Sequence, residues 1–154
     1  MKRIALTLFV LMLTTACSMS IYRKFIKIPS AIWNKNNKIV FKVEIDEPLT
    51  NVDVMLAARV DHAYQFRNLK MKVKQTTPKN ESKPMNVDMP IKDETGKHLG
   101  SGTANLWDVE FKMLEKVDFS EIGTYEFEVQ HDMPDQKIIL AVSYTHLRAH
   151  ETFA

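Results

Sequence analysis

Apolar and polar residues alternate with a period of two along most of the chain, the spacing of half-buried strands. Ile39, Phe41, Val43 and Ile45 are interleaved with Lys42 and Glu44. After the break at Pro48 and Asn51, Val52, Val54, Leu56 and Ala58 form a second run, opposed by Asp53, Met55 and Arg59. Leu69, Met71 and Val73 alternate with Lys70, Lys72 and Lys74, a lysine stripe that predicts either a solvated face or protection of a sheet edge. Trp107, Val109, Phe111 and Met113 alternate with Asp108, Glu110 and Lys112, and Tyr125, Phe127, Val129 and His131 with Glu126, Glu128 and Gln130. Val87, Met89 and Ile91 predict a short strand that Pro90 confines to an edge. Ile21 to Ile28 and Ile138 to Leu140 add two more. Asp93-Glu94-Thr95-Gly96 fits a tight turn with glycine at its left-handed position, and Thr76 to Pro84 reads as an exposed loop. Only Lys112 to Ser120 offers a weak helical alternative. The prediction is one all-β domain over residues 21–141, an antiparallel β-sandwich of about eight strands, jelly-roll or immunoglobulin-like.

The first sixteen residues break this pattern. Lys2 and Arg3 precede an uncharged apolar stretch, Ile4 to Leu13, and Thr14, Thr15 and Ala16 then lead to Cys17. That is the layout of a secretory signal peptide, and the apolar stretch is about half of the ~20 residues a membrane-spanning helix needs. Leu-Thr-Thr-Ala-Cys resembles a bacterial lipobox, with Leu13 one position further from the cysteine than usual. The resemblance implies cleavage before Cys17 and lipidation of its sulfur, with residues 17–20 as tether; several acyl chains make such an anchor stable. Ser18 stands where enteric lipoproteins retained in the inner membrane carry Asp. With no acidic run after Cys17, the expected location is the periplasmic face of the outer membrane.

The last residues break it again. Ser143-Tyr144-Thr145-His146-Leu147-Arg148-Ala149-His150-Glu151-Thr152 resembles the conceptual translation of a sequencing adapter. Residues 142–154 are therefore expected to be a non-native tail, which leaves the sandwich without its closing strand. His146 and His150, four apart, are then no metal site.

Charge and composition exclude several function classes. The net charge is +2 over 154 residues; without Lys2, Arg3, Arg148 and Glu151 the remainder carries 18 basic and 18 acidic side chains. A neutral body offers no basic stripe for nucleic acid. One cysteine excludes a disulfide framework and a cysteine zinc cluster. Gly96, Gly100 and Gly102 lie close together, but Thr103 follows where a phosphate loop needs lysine and a helix, so turns and bulges account for them. His62, His98 and His131 lack the spacing of a zinc helix, and there is no Gly-x-Ser-x-Gly elbow. No catalytic residue, metal site or cofactor is predicted. Trp33, just ahead of Asn34-Lys35-Asn36-Asn37, is the candidate contact for a partner or a glycan, although core packing is the better reading for both tryptophans.

Three strings carry a family resemblance. They are Arg67-Asn68-Leu69, then Gly96-Lys97-His98-Leu99-Gly100-Ser101-Gly102, then Gly123-Thr124-Tyr125-Glu126-Phe127 running to Gln130-His131-Asp132-Met133. With the lipobox ahead of them, the chain resembles the gliding motility lipoproteins of the GldH family of Bacteroidetes over about residues 20–141. It departs from them at His98, where members often carry Trp. The resemblance implies a non-enzymatic envelope lipoprotein, anchored to the membrane by its lipid and linked to gliding and type IX secretion proteins. The alternative is a glycan-binding sandwich lipoprotein for polysaccharide capture, which needs an exposed aromatic platform.

Overall fold

A computed structural model describes residues 20–103, 105–140 and 142–149. The signal segment and Cys17 lie outside the described residues. Eleven strands are present among them: β1 Ser20–Lys27, β2 Ile32–Asn34, β3 Ile39–Ile45, β4 Leu49–Asp61, β5 Asn68–Thr76, β6 Ser82–Pro90, β7 Ser101–Thr103, β8 Leu106–Phe119, β9 Gly123–His131, β10 Lys137–Ile139 and β11 Val142–Ala149. They form a five-stranded sheet in the order β1-β11-β4-β8-β7, a four-stranded sheet in the order β3-β9-β5-β6, and a small β10-β2 pair. Every pairing is antiparallel.

The alternation read from the sequence builds the core. Phe41 and Val43 of β3, Leu69, Met71 and Val73 of β5, and Phe127 and Val129 of β9 turn inward from the four-stranded sheet. They meet Val52, Val54, Leu56, Ala58 and Val60 of β4 and Val109 of β8 from the facing sheet. Two inner faces closing on one apolar layer make a β-sandwich. Its flank is tied by the Tyr22 hydroxyl of β1, which donates to the Lys42 carbonyl of β3.

Several expectations change. β2 and β7, three residues each, and the C-terminal β11 raise the count above eight; pieces as short as β2 and β7 carry no measurable period. The helical alternative at Lys112–Ser120 is wrong: that stretch is the second half of β8. Register shifts opposite Leu49–Met55 disturb its parity, and Lys116 sits at φ +49° in one of these irregularities. Asp53 of β4 explains how the irregularity is held. Its carboxylate is 2% exposed, accepts the Lys116 N–H at 2.9 Å and pairs with Lys112 Nζ at 2.7 Å. The lysine stripe is a solvated face and not an edge, since β5 lies between β9 and β6. Pro90 is on an edge strand, β6, as its missing N–H requires.

The sheet edge expected to be left open is instead filled by residues 142–149. β11 pairs with β1 on one side and β4 on the other, an interior place in its sheet. The backbone groups of β1 and β4 find their partners there, whatever the side chains. The register sets Ser143, Thr145 and Leu147 opposite Ala58, Leu56 and Val54, three core positions of β4. Two polar residues in such a row hide the strand from any apolar-periodicity reading.

Candidate functional site

One end of the sandwich gathers the β2–β3, β4–β5 and β9–β10 connections around an open cleft of about 660 Å³. Its walls are Lys35, Phe66, Arg67 and Asn68 on one part and Asp132, Met133 and Pro134 on another, with Lys70 and Asp88 rising from the outer sheet face. Local chemistry fixes most of these groups. Lys35 Nζ donates to the Met133 carbonyl at 2.8 Å and lies 3.7 Å from Asp132. Lys72 Nζ lies 3.1 Å from the other Asp132 oxygen. The hydrogen bond from Lys72, with the charge of Lys35 added, holds the Asp132 carboxyl below its ordinary range. The Lys70 N–H points at the Met133 sulfur at 3.2 Å, and the Asn68 amide donates to Asp88 at 2.7 Å.

The residue singled out in the sequence as a contact does not line this cleft. Trp33 is 2% exposed, its indole N–H donates to the Asn37 carbonyl at 2.7 Å, and its ring meets His131 edge-on at 5.1 Å. The contact reading of Trp33 is therefore corrected: the indole's polar edge is spent on the following turn and its rings fill the core. His131 Nε2 lies 3.2 Å from the Trp33 carbonyl, while Nδ1 accepts the Met133 N–H at 3.4 Å. The arrangement fits a neutral imidazole protonated on Nε2, and burial lowers its pKa accordingly. Tyr125 is buried as well, its ring edge-on to Phe119 at 4.8 Å. Neither ring offers a platform to a sugar.

A second cluster lies on the neighbouring connections. His98 stacks flat on Trp107, with centroids 5.4 Å apart and planes 7° apart, and faces His62 at 5.7 Å. Burial, then the nearby charge of Lys92 and of His62, lowers the His98 pKa. A flat ring at position 98 therefore packs on Trp107, which accommodates the His98 departure from the family pattern. Gly100, at φ +84°, is required beside it: a Cβ there would lie 2.1 Å from the Asp108 carbonyl oxygen. The turn before it is held by Asp93, whose carboxylate accepts the Thr95 and Lys97 N–H groups at 2.8 and 3.0 Å. No group of three or more His, Cys, Asp or Glu side chains suited to a metal occurs among the described residues.

The sequence did not mark Phe66, named Lys35 only as part of a turn and Lys70 only in the lysine stripe, and marked Arg67, Asn68, Asp132 and Met133 only as parts of resemblance strings. The fold unites the strings. Arg67-Asn68 and Asp132-Met133 line the same cleft, and the segment leading into the glycine string is bound to it through Arg67, whose carbonyl accepts the Ile91 and Lys92 N–H groups. Arg67 Nη2 also lies 3.6 Å from Glu94.

Solved structures that resemble this chain include two at low identity. A serine protease of Aeromonas sobria aligns at TM-score 0.42 and 14% identity, over 95% of this chain and 29% of that one. The mosquito-larvicidal Cry4Aa toxin from Bacillus thuringiensis aligns at TM-score 0.47 and 9% identity, over 87% of this chain and 22% of that one. This chain thus spans less than a third of either protein. No curated protein matches its sequence. A family match is found, however: the profile described as GldH lipoprotein matches residues 20–143, ending just inside β11 and including all three strings. The chain belongs to the GldH lipoprotein family.

Proposed function

We propose that this protein is an outer-membrane lipoprotein, anchored through Cys17 with its sandwich on the periplasmic side, and a non-enzymatic component of the gliding motility and type IX secretion-linked envelope machinery. The observation that carries the reading is the cleft. Separate strings of family character, Arg67-Asn68 and Asp132-Met133, are brought by long-range strand pairing to one open site. The cleft presents three cations, one amide and two carboxylates, with no serine, cysteine or histidine in its lining, and this mix suits recognition of another protein. Lys70 and Arg67 stand at its mouth for an acidic or amide-rich segment of an envelope partner. Burial of Trp33 and Tyr125 counts against the glycan-capture alternative, while Trp107 is half-buried with one ring face covered by His98.

The test is affinity capture of the tagged lipoprotein from detergent-solubilised envelopes, compared with the Arg67→Glu/Lys70→Glu variant. Motility or secretion subunits recovered with the first and depleted with the second are the expected result. An identical set of proteins from both, or no envelope partner from either, contradicts it.

A further inference from the structure

The mature chain is formally neutral, yet its charge is unevenly placed. From Cys17 to Val43 there are six cations, Arg23, Lys24, Lys27, Lys35, Lys38 and Lys42, and no acid before Glu44. Three of the six are satisfied within the fold: Lys35 by Asp132, Lys38 by Glu128 at 2.9 Å and Lys42 by Glu126 at 3.5 Å. Lys24 and Lys27 are exposed and have no ion-pair partner among the described residues. Both lie on β1, an edge strand of the five-stranded sheet, with Phe25 between them at 57% exposure. Only Ser18 and Met19 separate Cys17 from the first residue of β1. Three residue steps reach at most about 10 Å, far less than the roughly 46 Å length of a fourteen-residue strand such as β8.

We infer that the β1 edge is a second membrane contact, in which Lys24 and Lys27 meet anionic phospholipid headgroups, Phe25 enters the interface, and the sandwich is held on its flank beside the lipid anchor. The inference rests on lipidation of Cys17. A short tether keeps β1 within headgroup reach, and a basic segment beside an acyl anchor gains from the negative surface potential of the leaflet. The competing pose stands the sandwich upright on the end that holds Ser20. That end presents the β3–β4 turn with the acids Asp46 and Glu47, and the β8–β9 turn with the exposed Ile122, where Glu121 is already paired with Lys79 at 2.6 Å. Its acids oppose the same headgroups that attract β1, which decides between the two poses.

The purified lipoprotein is reconstituted into phosphatidylcholine vesicles with and without 30% phosphatidylglycerol. A fluorophore is placed on a single cysteine introduced by Phe25→Cys, Ile122→Cys or Leu106→Cys, Leu106 lying at the far end opposite Asp61. If Cys17 is acylated, the new thiol is the only one available. We expect quenching by lipid-borne quencher to be about threefold stronger at position 25 than at 122 or 106 in anionic vesicles, and to weaken at high salt, which screens headgroup attraction. Adding Lys24→Glu/Lys27→Glu should abolish that excess while flotation with vesicles persists. Acetylation footprinting of the unsubstituted chain is the companion measurement: Lys24 and Lys27 should be protected by anionic vesicles while the exposed Lys74 and Lys83 react freely. Stronger quenching at 122 than at 25, equal quenching at all three positions, or unprotected Lys24 and Lys27 overturns the inference. Two titratable thiols and failure to float overturn the anchor itself, a distinct result that removes the premise.

Discussion

Trp33 shows how a side chain's partners settle its role. Its indole N–H is bound to Asn37 and its ring to His131, so removing it opens a cavity in the core. Trp33→Ala should cost about 3–5 kcal/mol in a denaturant titration, the range for a large buried aromatic, where an exposed contact residue would cost almost nothing. The two buried histidines set a pH dependence. Burial holds His98 and His131 below the ordinary imidazole value of 6.5. Below that pH the unfolded chain binds protons that the folded chain refuses, so stability falls as pH drops from about 6.5 toward the lower native values. The denaturation midpoint should therefore decrease between pH 7.5 and 5. His98→Phe, which keeps a flat ring on Trp107, should reduce that decrease; an unchanged pH profile would contradict the assignment.

Among the elements, β7 and β8 depend on a contact that no side chain can replace. Gly100→Ala places a methyl group against the Asp108 carbonyl at a positive φ, and should cost about 2–4 kcal/mol by thermal or chemical unfolding. The elements also explain what the sequence revealed and what it concealed. β3, β5 and β9 were legible because one face of each is buried and the other solvated, so composition alternates along them. The second half of β8 was not, because Lys116 and the register shifts opposite β4 break the alternation and Asp53 compensates from another strand. β11 was concealed by polar residues opposite core positions. The cleft had no local signature at all. Lys35, Arg67 and Asp132 are far apart in sequence and meet only because β5 pairs with β9 and the β2–β3 turn bonds to the β9–β10 connection.

At the scale of the whole molecule, the sandwich has three surfaces of different character. The outer face of the four-stranded sheet is a checkerboard in which Lys38 ahead of β3, Lys42 of β3 and Lys72 of β5 meet acids of β9 and its following connection; exposed pairs of this kind add little stability and keep the face soluble. The cleft at one end presents residues of the family strings, and the β1 flank leads back to Cys17. On the proposed reading, acyl chains on Cys17 give the cleft and the β1 flank a common purpose, holding a recognition site at a fixed distance from a membrane. The account stands or falls on that anchor, and intact mass spectrometry of the mature protein from its native envelope measures it directly. The predicted result is a chain beginning at Cys17 and carrying a diacylglyceryl thioether. A mature chain that begins elsewhere, or in which Cys17 retains a free thiol, contradicts it.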